Sequence, residues 1–216
     1  MEPKDLASKA GQTLFAAEQW LASAIVYAET AKIAFDDPMV QLGLGAAVEN
    51  SAGVLVVEPF VHWATRALNR CVILAASTQF GEVAMSRLGQ LRANKHYKDL
   101  PALEPGDLDP LLQFLDIDPM IVPVSIGKCP ADDHMFLVMA LGELRAPRFA
   151  PVIAMAASGA WGAATARAAL KRIGAFAGHP GVQSAVAGLR ASPLAEECEP
   201  YLGFAESTIA RRADSN

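Results

Sequence analysis

The stretch Ala140-Leu141-Gly142-Glu143-Leu144-Arg145-Ala146-Pro147-Arg148-Phe149-Ala150-Pro151-Val152-Ile153 decides the fold. It reads as the end of one helix, a turn, and the proline-led start of another. Proline is tolerated at a first helical position because the N–H it lacks would have no intrahelical acceptor there. The pattern recurs. Ala169-Leu170-Lys171-Arg172-Ile173-Gly174 matches the helix end, and Pro180 leads the next helix. Phe149, Val152, Ile153 and Ala156 correspond to Val182, Ala185, Val186 and Leu189, an offset of about 29 to 33 residues. A fainter echo lies upstream, in Lys32-Ile33-Ala34-Phe35 followed by Pro38-Met39-Val40-Gln41. One helix pair cannot bury its apolar face alone, whereas stacked pairs complete a core between them.

Composition agrees. Of 216 residues, 52% are hydrophobic and 19% charged, which excludes disorder over most of the chain. Alanine is abundant while aromatics are 7%, a balance that favours closely packed helices over sheets. The net charge of −5 disfavours nucleic acid, which needs clustered cations to displace counterions. The charge is uneven, however. From Arg145 to Arg212 there are eight Lys or Arg and four Asp or Glu. The cysteines Cys71, Cys129 and Cys198 lie far apart without metal-ligand spacing, as suits a reducing compartment. The N-terminus has no apolar signal core. Phe149 to Ala166 is long enough for a membrane span, but Pro151 and Ser158-Gly159 divide it into two short buried helices. These features place the protein in the cytoplasm, off the membrane, with homo-oligomerisation open.

Along the chain, Asp5 to Phe35 reads as one long helix or two joined near Gly11. Asp37 caps a helix begun by Pro38. Val54 to Val57 reads as a short strand or a lead-in to a helix that continues to about Ser77, and a further helix spans about Phe80 to Arg92. His96 to Pro130 holds six prolines and reads as an irregular connection, helical only at Pro110 to Leu115. Asp132 caps a helix ending near Leu144. Helices then follow from Pro147, Trp161, Pro180 and Ser192, with a kink or break at Pro200. Three regions result: an N-terminal helical region (1–95), the proline-rich connection (96–130), and C-terminal helical repeats (131–216).

Residues 141–153 resemble a HEAT-like repeat of the phycobilisome-lyase type. In that pattern an "ALGEL"-like helix end meets a proline turn and a second helix. The resemblance covers about 132–189, with the usual Gly-Asp of the turn replaced by Arg145-Ala146. It implies an all-α, right-handed α-solenoid of HEAT-like hairpins, with an irregular helical bundle as the alternative. A helical solenoid offers a concave groove and many exposed side chains without needing catalytic residues, so the expected function is a non-catalytic protein-interaction scaffold or adaptor. Two other activities of HEAT-like proteins stand beside it: a bilin-lyase-like subunit that handles a chromophore, and a DNA-lesion binder. HEAT-like hydroxylases carry His-Glu pairs that bind iron, and this sequence has no His-Glu dipeptide.

The strongest binding candidates are basic: Arg148, Arg167, Lys171 and Arg190, with Arg145 and Arg172 beside them. Arg167 and Lys171 are four apart, hence on one helix face. A row of cations on a HEAT-like surface would hold an acidic segment of a partner protein. No residue set points to catalysis, a metal or a cofactor. Asp132-Asp133-His134 and the acids Asp107, Asp109, Asp116 and Asp118 read as cap and turn chemistry before metal ligation. Lys128 beside Cys129 would lower that thiol's pKa if the two side chains met, but adjacency in sequence alone does not make Cys129 catalytic. Trp20, Trp63 and Trp161 read as apolar-face helix positions.

Overall fold

Every regular element among the described residues is helical. The computed structural model describes residues 2–52, 57–93 and 99–213. The apolar run 54–57, read as strand or helix lead-in, lies outside them except for Val57. The chain divides into two compact units, Met1–Ile117 and Asp118–Asn216.

The first unit holds α1 (Pro3–Ala16), α2 (Trp20–Ala31), α3 (Pro38–Ser51), α4 (Val57–Ala75), α5 (Gln79–Arg92) and α6 (Leu108–Leu115). Each of α1 to α4 packs on the next in sequence, and α3 also touches α1 and α5. The central element is α2. All ten residues from Ala22 to Ala31 are buried, as expected of a helix apolar on every side. Its buried Ser, Thr and Glu are all paired. Ser23 Oγ donates to the Gly11 carbonyl at 2.8 Å, Thr30 Oγ1 donates to the Val26 carbonyl at 2.7 Å, and Glu29 lies 3.6 Å from Lys32 Nζ.

The expected joint at Gly11 is incorrect. The break falls at 17–19, where Glu18 adopts a left-handed φ of 59°, while Gly11 sits inside α1. Its hydrogen side chain serves packing instead. A Cβ on Gly11 would stand 2.7 Å from the Tyr27 ring, and one on Gly43 would stand closer still. The phenol end of Tyr27 therefore lies in a slot between two glycines, one on α1 and one on α3. Asp37 caps α3 as its sequence suggests, with Oδ1 accepting from Met39 N at 2.9 Å.

The reading of 96–130 as an irregular connection also needs correction. Residues 96–98 lie outside the described set, but the rest carries α6 and α7 (Ile121–Lys128). Leu108, Leu111, Leu112 and Leu115 bury one face of α6, which packs on α2. The segment before it is tied to α4. Leu103 N donates to the Arg66 carbonyl at 2.9 Å, Asn69 Nδ2 to the Leu100 carbonyl at 2.8 Å, and Arg66 pairs with Asp107. Three of the prolines are compatible with these helices because Pro105, Pro110 and Pro123 occupy first turns. N–H groups there have no intrahelical partner to lose. The acids have structural roles: Asp109 pairs with Lys32 at 2.8 Å, and Asp118 accepts from Met120 N at 2.8 Å.

The second unit holds α7, α8 (Ala131–Leu144), α9 (Ala150–Ala157), α10 (Ala163–Leu170), α11 (Pro180–Arg190) and α12 (Ala195–Ala213). Here α10 packs against both α8 and α12, while α11 packs on α9. Phe149, Val152, Ile153, Ala156, Val182, Val186 and Leu189 are buried and Ala185 is half-buried, so all but one of the positions that defined the sequence repeat lie in the core. Several local expectations are corrected. Asp132 is not the cap of α8, since Pro130 precedes the helix and Asp132 lies in its first turn. Trp161 belongs to the turn between α9 and α10, not to a helix. α12 runs through Pro200 without a break. Among the described residues no helix is long and apolar enough to cross a membrane.

Candidate functional site

The end of α8 sets the geometry of the basic residues. Arg145 follows the helix at φ 53°, the left-handed position where glycine is usual. Directly below, Gly142 gives way to a neighbour. A Cβ there would stand 2.5 Å from Arg172 Cδ, so the aliphatic stem of Arg172 crosses α8 over this glycine. Its guanidinium then reaches the helix end. Arg172 Nε donates to the Met139 carbonyl at 3.1 Å, and an Nη lies 3.1 Å from Glu143. A cation at a helix C-terminus also meets the negative end of the peptide dipoles.

Two hollows open on either side of this crossing. One, of about 400 Å³, is bordered by Glu143, Arg145, Lys171, Arg172 and Phe204. The other, of about 250 Å³, is bordered by Met135, Met139, Arg167, Lys171, Arg172 and Tyr201. Lys171 and Arg172 line both, so the two hollows share a wall of basic side chains. Four cations face a single carboxylate, Glu143, among their lining residues. Lys171 is exposed, with Nζ 4.6 Å from the Tyr201 ring centroid, a cation–π arrangement. Arg167 donates to the Glu197 carbonyl at 3.3 Å. Met135 and Phe204 expose apolar surface beside these charges.

Of the four residues singled out in the sequence, Arg167 and Lys171 meet here. Arg190 does not. It pairs with Glu199 and, at 2.6 Å, with Glu206, both on α12. Those bonds raise the Arg190 pKa and hold the Glu206 carboxyl below its usual range. Arg148 sits half-buried in the 3-10 turn Pro147–Phe149 and lines neither hollow. Sequence reasoning missed Met135, Met139, Tyr201 and Phe204. The i, i+4 spacing of Met135 and Met139 was the available signal.

The thiols are not activated. Burial raises Cys71 to about 11, and burial followed by the Asp133 charge raises Cys129, the reverse of what a Lys128-activated nucleophile requires. Cys198 is raised as well, again chiefly by burial. His134 is buried, its Nε2 lying 3.1 Å from the Cys129 carbonyl and its ring 5.5 Å from that of Trp161. Among the described residues, no three His, Cys, Asp or Glu converge to hold a metal. No protein-family profile, curated protein or solved structure matches the chain.

Proposed function

We propose that the C-terminal unit is a non-catalytic docking module of HEAT-like hairpins, whose groove around Lys171 and Arg172 holds an acidic segment of a partner protein. The stacking of α8, α10 and α12, with α9 beside α11, supports the hairpin reading. The observation that carries the function is the convergence of Arg145, Arg167, Lys171 and Arg172 around two adjoining hollows with one carboxylate among their lining residues. Such a groove favours carboxylates through charge-assisted hydrogen bonds. Met135, Met139 and Phe204 add adaptable apolar contact, so the preferred segment carries large apolar residues among its acids. The charges set orientation and association rate, and the apolar contacts slow release.

Selection of displayed random peptides on the immobilised protein tests this. Recovered sequences should combine Asp or Glu with Leu, Phe or Met, and should be lost on the K171E/R145E variant. Basic sequences, or sequences retained by that variant, would refute the proposal.

A further inference from the structure

The slot that holds Tyr27 ends in a cavity. Its volume is about 290 Å³, and Phe15, Met39, Leu42, Phe80 and Val83 form apolar walls contributed by α1, α3 and α5. Tyr27 lines the cavity from α2 and is only 3% exposed. Its position is imposed by the two glycines, Gly11 and Gly43, between which the ring is inserted. No hydrogen bond to the Tyr27 hydroxyl exists among the described residues, and burial alone pushes its pKa upward. The hydroxyl oxygen is not among the fully buried polar atoms that lack a partner, so the small exposure Tyr27 retains keeps it in contact with solvent at the cavity it lines. The cavity is the side from which a partner can come.

The donors of the other polar side chains at the border have partners. Gln12 Nε2 donates to Met39 Sδ at 3.4 Å, and Arg87 pairs with Glu49 at 2.7 Å. The guanidinium is thus neutralised, which gives an anion no advantage there. The phenol stays protonated through the physiological range, so it presents a donor. Apolar walls with one placed polar group are the usual make-up of a small-molecule site, and the volume lies at the lower end of the range of about 300–1,000 Å³. An apolar cavity of about 150 Å³ admits benzene. About twice that volume admits a two-ring molecule or an aliphatic one of similar bulk.

We infer that this cavity is a binding site for an uncharged, largely apolar small molecule of about two rings, whose single carbonyl or hydroxyl oxygen accepts a hydrogen bond from Tyr27. The glycine pair is the device that builds it. Without Cβ atoms on α1 and α3, the phenol reaches the cavity, and larger residues there would shift the ring. The site belongs to the N-terminal unit and uses none of the basic residues of the groove.

The test uses the full-length chain and prodan, an uncharged dimethylamino-naphthyl ethyl ketone whose emission moves to the blue in apolar surroundings. Titration should give saturable, one-to-one binding. Tyr27→Phe should weaken it about three- to tenfold, the range expected for one lost hydrogen bond. Two variants should abolish saturation: Ala46→Phe, which fills the cavity from its wall, and Val83→Trp. Val83 is 39% exposed, so tryptophan there blocks the cavity without crowding a buried site. Circular dichroism identifies the variants that keep their helix content, and Val83→Trp serves if Ala46→Phe does not fold. The anionic naphthalene probe anilinonaphthalene sulfonate should bind more weakly than prodan. Non-saturating uptake, or unchanged affinity in Val83→Trp, would overturn the site. Unchanged affinity in Tyr27→Phe would overturn the role of the phenol, and tighter binding of the sulfonate would overturn the uncharged class. Release of prodan as the protein self-associates at rising concentration would assign the surface to a second copy instead.

Discussion

Gly43→Ala should destabilise the N-terminal unit, although in most helix interiors that exchange stabilises. The new methyl would overlap Tyr27 around Cζ, and the ring cannot retreat freely because Gly11 of α1 faces its other side. Overpacking of this kind costs about 1–3 kcal/mol, and overlap against a ring confined on both faces belongs in the upper half of that range. Helix propensity returns about 1 kcal/mol. The net loss is then about 1–2 kcal/mol. The mechanism predicts a change of sign in a second background. Tyr27→Leu removes the overlapped atoms at a cost of about 2 kcal/mol, and there Gly43→Ala should gain about 1 kcal/mol. The coupling between the two sites is therefore about 2–3 kcal/mol, well above the error of a double-mutant cycle. Urea unfolding measures it. Trp20 and Trp63 lie in the N-terminal unit and Trp161 in the other, so a W161F background makes fluorescence report on the N-terminal unit alone. At about 1–3 kcal/mol per molar urea, a change of about 1.5 kcal/mol moves the midpoint by about 0.5–1.5 M. A Gly43→Ala midpoint at or above that of the parent would refute the slot. So would an equal loss on Gly43→Ala whether Tyr27 is kept or replaced by leucine.

Three further outcomes follow from named contacts. Arg145→Gly relieves a side chain held at φ 53° and should raise stability by about 1 kcal/mol, seen as a higher melting temperature, while weakening acidic-peptide affinity by anisotropy. A lower melting temperature would show that the left-handed cap is not strained. Arg172→Ala removes the bonds to Glu143 and the Met139 carbonyl and strips the cover from Gly142, so calorimetry should register a loss of about 1–2 kcal/mol. Cys71 is held neutral by burial, with a pKa near 11 against the ordinary 9.0. The folded-state value is raised, so its contribution is complete below pH 9 and is lost as pH climbs toward 11. Cys71→Ser keeps a donor for the Pro38 carbonyl that the thiol reaches at 3.3 Å, and should show a shallower loss of urea midpoint across that window.

The helical class was readable because it rests on local physics. Alanine content, Asp37 before Pro38, and the spacing of Phe149, Val152 and Ile153 each depend on neighbours in sequence. Errors arose where one residue type serves two purposes. Gly11 looked like a break, yet its missing Cβ admits a tyrosine sixteen positions away in sequence, from Gly11 to Tyr27. Pro105, Pro110 and Pro123 read as interruptions but stand in first turns, and only the burial of four leucines on α2 reveals α6 as core. The candidate site was half legible. Arg167 and Lys171 share a helix face by spacing, but whether a cation is available depends on its partners. Glu199 and Glu206 occupy Arg190, and no spacing rule between α11 and α12 announces that. The Tyr27 cavity was not legible, since its lining comes from four helices brought together by packing.

The two sites rest on different forces, and salt separates them. The groove depends on exposed cations such as Lys171, whose attraction for an acidic segment is screened as the Debye length contracts from about 10 Å at 0.1 M to about 3 Å at 1 M. The cavity depends on apolar contact and one uncharged hydroxyl, which salt does not screen, and strongly excluded salts such as sulfate strengthen apolar burial. Raising ionic strength should therefore lower peptide affinity while prodan affinity holds or rises. If both fell together, the cavity would owe its binding to charge, and the neutralisation of Arg87 by Glu49 would not describe the cavity's edge. If neither fell, the peptide would be held by Met135, Met139 and Phe204 rather than by the cations around them.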